Sequence, residues 1–76
     1  MFRYRNLDGH SGVFRYETIL DSIMLTFVNG DRYLYSAAWP GRPAVVRMKA
    51  LAQAGRGLST FVSQHVRDNY ERKLDD

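Results

Sequence analysis

Ser59, Ser63, His65 and Asp68 are the side-chain types of an acyl-transfer triad, a hydroxyl backed by a base and a carboxylate. Their spacing denies them that chemistry. All four lie on one stretch with helical periodicity, where Ser63 and His65 point about 160–200° apart, and no glycine-flanked nucleophile turn surrounds either serine. His10 and His65 form neither an HxH nor an HExxH spacing, and the chain has no cysteine, so no metal-ligand set is expected. Gly55-Arg56-Gly57, ahead of a helix, has the parts to hold one phosphate through backbone N–H groups and a guanidinium. It is not a Walker motif, and a plain helix-to-helix turn accounts for it. With reactive groups this few and this scattered, neither a catalytic site nor a cofactor is expected.

The chemistry of binding is better represented. Between Asp31 and Asp68 there is no acidic residue, yet that stretch carries Arg32, Arg42, Arg47, Lys49, Arg56 and Arg67, interleaved with Tyr33, Tyr35 and Trp39. The rest of the chain sets Arg3, Arg5, Arg15, Arg72 and Lys73 against eight carboxylates. Lysine and arginine neutralise phosphates and release counterions, and aromatic faces stack bases at about 1–3 kcal/mol each. This distribution predicts RNA or another nucleic acid as partner. The six basic residues would position the backbone, and the exposed members of the aromatic set would supply stacking. A second expectation is a protein-interaction module in which Trp39, in a loop of small residues and prolines, anchors a partner in a larger translation or transcription assembly.

Whether these residues share a surface depends on the elements that carry them. Phe2 to Arg5 and Val13 to Thr18 alternate large apolar residues with polar ones and read as strands. An odd loop centred on Gly9 would set Phe2 near Tyr16 and Tyr4 near Phe14. Ile23 to Val28 is the next strand, with Ile23, Leu25 and Phe27 on one face. The turn at Asn29-Gly30 leaves two registers open. A two-residue turn pairs Tyr33 with Thr26 and Tyr35 with Met24, away from Leu25; a three-residue loop puts both rings on the core side. Ser36 to Arg42 is loop, and Pro43 suits the first turn of a helix over 44–54. Its apolar stripe is Val45, Met48, Leu51 and Ala52. Leu58, Phe61, Val62, His65, Val66, Asn69 and Tyr70 mark one further helix, with Ser59 or Thr60 as cap and His65 packed within its stripe. Leu74 to Asp76 are expected to fray. The fold class is α+β, an antiparallel three- to four-stranded meander followed by two helices packed on one face.

Tyr16, the alternating Ile23, Leu25 and Phe27, Gly30, and Tyr33-Leu34-Tyr35 resemble the KTSC domain, as do Thr60-Phe61-Val62, His65-Val66-Arg67-Asp68 and Tyr70. This small module occurs at the C-terminus of some lysyl-tRNA synthetases and as a stand-alone bacterial protein. The resemblance covers residues 12–70 and implies an RNA-binding role. Two features depart from it. SAAWPGR intervenes before the first helix, and the family's Ser-x-Gly before the last helix has no clean counterpart in Gly55-Arg56-Gly57-Leu58-Ser59.

A chain of 76 residues with a formal charge of +3 is expected to form one domain, 1–76, with its core over about 12–70. Without cysteine its stability must come from packing or from a partner. No signal-peptide core and no apolar run of membrane-spanning length is present. The expectation is a cytoplasmic protein with no membrane partner.

Overall fold

The computed structural model describes residues 2–5, 7, 9, 12–66 and 69–74. The readings above that concern His10, Arg67, Asp68, Asp75 and Asp76 lie outside the described residues. Five strands form one antiparallel sheet in chain order: β1 (Phe2–Arg3), β2 (Val13–Ile19), β3 (Ser22–Phe27), β4 (Arg32–Ser36) and β5 (Arg72–Leu74). Helix α1 (Arg42–Ala54) and the short α2 (Leu58–Phe61), which runs on into a π-helical turn over Val62–Val66, pack on one face. The fold is α+β as predicted, with one strand more.

The β3–β4 loop settles the register. Phe27 N–H donates to the Asp31 carbonyl at 2.8 Å and Gly30 N–H to the Phe27 carbonyl at 2.9 Å, closing a three-residue loop. Gly30 sits at φ 94°, a conformation that disfavours a Cβ. Tyr33 therefore stands opposite Leu25 and Tyr35 opposite Ile23, both on the helix side. Tyr35, Ile23 and Leu25 meet Val45, Met48 and Leu58 there, all fully buried. Side chains this deep each contribute about 1.5–3 kcal/mol by leaving water. The stripe predicted for α1 is the one that faces them.

Phe2 pairs with Tyr16, as an odd connection requires, and Tyr4 N–H donates to the Phe14 carbonyl at 2.9 Å. The connection is much longer than a tight turn, because it travels to the end of α1, where Leu7 N–H donates to the Gly55 carbonyl at 2.7 Å. A β-bulge between Val13 and Arg15 shifts the pairing of β2 on β3. It lets both Val13 and Tyr16 face the core and turns Phe14 outward with Arg15. Tyr4 is also a core residue, so the core extends beyond the predicted 12–70.

Three expectations for the C-terminal third are corrected. Neither Ser59 nor Thr60 caps α2: Gly57 occupies the cap at φ 80° with no side-chain bond, and the Leu58 N–H instead donates to the Tyr4 hydroxyl at 3.3 Å. The helix does not run to Tyr70. From Val62 it widens to i→i+5 bonding, which keeps Val62 and Val66 in the core and swings His65 out to the surface against the Phe61 ring, 4.8 Å between centroids. Of Leu74 to Asp76 only Leu74 is described, and it does not fray: Arg72–Leu74 adds β5 to the edge of β4, with Tyr33 opposite Lys73.

Gly55 ends α1 at φ 79°, its N–H donating to the Leu51 carbonyl at 3.0 Å. An added Cβ would stand 2.9 Å from Arg5 Cβ and 3.3 Å from Leu7 Cγ. Gly55→Ala should therefore cost about 2 kcal/mol, from the left-handed conformation and the crowding together. Urea denaturation of the two proteins measures it. Among the described residues no helix is long and apolar enough to cross a membrane.

Candidate nucleic-acid interface

Strand alternation divides the residues singled out in the sequence. Tyr35 is 1% exposed and is a core side chain, which removes it as a stacking platform. Tyr33 is half-buried between Phe27 and Tyr70, with ring centroids 5.6 and 4.8 Å away. Its hydroxyl donates to Asp31 Oδ2 at 3.4 Å. Burial pushes the Tyr33 phenol above its ordinary pKa; Lys73 opposes this, and Asp31 and Tyr70 add to it. The phenol is thus neutral, and a hydrogen-bond donor, at physiological pH.

Arg32 precedes Tyr33 and so points to the other face of the sheet. Arg42 and Arg47 are exposed on α1, and Arg56 is exposed in the turn after it, in the helical layer. Lys49 donates through Nζ to the carbonyls of Ile19 at 2.7 Å and Leu20 at 2.9 Å, closing off the β2–β3 turn. The six central basic residues were expected to share a face with the tyrosines. The described five do not, because the sheet stands between Arg32 and the helices; Arg67 lies outside the described residues. Lys49→Met should lower stability by about 1 kcal/mol, since its charge-assisted bonds are partly exposed to water; a thermal melt reads the change.

A different cluster is assembled on the face that the helices leave uncovered. The cross-strand pairings place Arg3 opposite Arg15, Arg15 opposite Thr26, and Thr26 opposite Arg32. The neighbouring row runs Glu17, Met24, Leu34, Arg72. The bulge delivers Phe14 to this same face, 37% exposed. The Arg15 guanidinium carbon lies 4.8 Å from the Phe14 ring centroid and that of Arg3 5.9 Å, so both cations sit on one aromatic ring. Glu17 is the one carboxylate on the described strands, and among the described residues Arg3, Arg15 and Arg72 form no ion pair. Like charges directly opposite across a ladder destabilise a sheet. The signal was present in the sequence as arginines alternating with the aromatics of FRYR and VFRY, but charge summed along the chain counted them with the acidic remainder.

Trp39 is 56% exposed on a tightly tied loop. Ser36 Oγ accepts the N–H groups of Ala38 and Trp39 at 3.2 Å each, and Gly41 N–H donates to the Ser36 carbonyl at 3.1 Å. The Trp39–Pro40 peptide is cis. Ala37 N–H donates to the Asp21 carbonyl at 3.0 Å, which brings this loop beside the β2–β3 turn and its exposed Leu20.

Of the residues on which the expected resemblance to KTSC domains was read, Tyr16, Ile23, Leu25, Tyr35, Val62 and Val66 are core residues. Comparison of the chain with protein families, with curated proteins and with solved structures finds no match.

Proposed function

We propose that this domain is a non-catalytic module that binds single-stranded RNA on the uncovered face of its sheet. The observation that carries the reading is the direct opposition of Arg3 and Arg15 around Phe14, with Arg32 and Arg72 on the same face. A repulsive pair held without a carboxylate partner among the described residues is a local cost, and such costs concentrate at functional sites. A polyanion relieves it. Phe14 orients the two guanidinium planes, which can then bond phosphates in forked geometry or receive unstacked bases. The likeness to KTSC domains points to the same ligand.

Titration of a labelled single-stranded RNA at 50 and 200 mM salt tests this. Three or four neutralised phosphates predict a log–log slope of about −2 to −3, a loss of about 20- to 50-fold over that interval. Absence of binding at 50 mM, or binding indifferent to salt, refutes the proposal.

A second reading, docking on a translation or transcription assembly, is favoured by one observation: an exposed tryptophan on a well-tied loop beside exposed Leu20. Trp39→Ala should change stability by less than about 0.5 kcal/mol, as an exposed site does, while removing any such partner. A markedly lower melting temperature would instead make the ring structural.

A further inference from the structure

On the helix-covered side, where the β3–β4 loop approaches the π-helical turn, the side chains leave a cavity of about 390 Å³. That lies within the range of sites that hold small molecules. Four of its lining residues are aromatic: Phe27, Tyr33, Tyr35 and Tyr70. Their rings meet at steep angles, 78° for Phe27 with Tyr33, 52° for Tyr33 with Tyr70 and 87° for Tyr35 with Tyr70. The Phe27–Tyr33 and Tyr33–Tyr70 centroids are 5.6 and 4.8 Å apart, so these rings pack on one another and form one continuous aromatic wall.

The charge that the cavity favours follows from the rim. Among the described residues Asp31 is the one charged side chain that lines the cavity, and it is held in place from three sides. Its Oδ2 accepts from Tyr33 Oη at 3.4 Å and from Asn29 Nδ2 at 3.2 Å, and its own N–H donates to Asn29 Oδ1 at 3.0 Å. Lys73 Nζ stands 3.6 Å from Oδ1 and 5.7 Å from the Tyr33 centroid. The chain's own ammonium is thus drawn to the same carboxylate and the same ring, although Lys73 does not line the cavity and leaves the interior unfilled. Aromatic faces carry negative quadrupolar charge, and several rings with one carboxylate attract a cation whose surface is largely hydrocarbon.

We infer that this cavity is a binding site for an organic cation of the substituted-ammonium class, with the onium group against the partly exposed rings of Phe27, Tyr33 and Tyr70 and Asp31 as counter-charge. The site lies across the sheet from the arginine face and stands whether or not that face binds RNA.

The test is an NMR titration of the intact chain with choline, with Nε-trimethyllysine, and with 3,3-dimethylbutan-1-ol, the neutral isostere of choline. Saturable shifts of Phe27, Tyr33 and Tyr70 are expected with a cation, and binding of the neutral isostere about tenfold weaker. The tighter of the two cations shows whether a free metabolite or a modified side chain is the better ligand. Asp31→Asn should weaken choline about tenfold and leave the isostere unchanged, while Lys73→Ala, which removes the internal competitor, should strengthen choline severalfold. Equal binding of choline and its isostere would reduce the site to an apolar cleft and overturn the inference. So would an absence of saturable shifts with either cation. The comparison of ligands on the unaltered protein decides the matter even if Asp31→Asn disturbs the loop.

Discussion

Reversing the paired arginines, Arg3→Glu with Arg15→Glu, should abolish RNA binding, lowering affinity at 50 mM salt by more than about 100-fold. Two phosphate contacts are removed and two repulsive charges take their place beside Phe14. The salt slope of any residual binding should fall by about 1.4, at 0.7 per contact on a single strand. The control is Arg42→Glu with Arg47→Glu, which changes net charge by the same amount on the helical layer. It should weaken binding less than about fivefold, since only the long-range field is altered. Fluorescence anisotropy with one labelled RNA compares the three proteins, and circular dichroism confirms that each is folded. If the α1 pair proved the more damaging, the interface would belong to the basic run between Asp31 and Asp68 and the sheet-face assignment would fail.

Tyr35→Ala should unfold the domain. Removing a fully buried aromatic costs about 3–5 kcal/mol, against a total stability of about 4–11 kcal/mol for a chain of this length. A large unfolded fraction at 37 °C is the expected result, visible as loss of dispersion in a one-dimensional NMR spectrum. Tyr33→Ala, at a half-buried position, should cost roughly half as much. The two tyrosines share a side of β4 but differ in depth: Tyr35 stands opposite Ile23 at the centre of the core, while Tyr33 lies toward Asp31 and the loop. A mild Tyr35→Ala accompanied by loss of RNA binding would reverse the assignment of that ring to the core.

Much of the architecture was legible in the residues themselves. Period-two alternation located β2, β3 and β4, the Val45-Met48-Leu51-Ala52 stripe located α1, and an odd connection placed Phe2 opposite Tyr16. The register of β4 was undecided in the sequence, because Asn29-Gly30 suits both a two-residue and a three-residue loop; the bond from Phe27 to Asp31 decides it. The π-helical turn was hidden, since residues four apart fall on one face in either kind of helix and Val62 with Val66 satisfies both. β5 was hidden for the opposite reason. Arg-Lys-Leu has no apolar alternation, and it becomes a strand only because the edge of β4 is there to pair with it. The expectation that the central basic residues share a face with the tyrosines rested on one assumption, that charge segregated along the chain stays segregated in space. In a sheet, neighbours in sequence part to opposite faces, and residues from distant strands meet.

The phenol of Tyr4 on the first N–H of α2 joins positions 54 apart in the sequence. A chain growing from its N-terminus makes the accepting hydroxyl early and lacks the donor until residue 58 has been added. Neither end gains from docking early. The order of assembly is pushed toward a late step in which β1 and α2 arrive together.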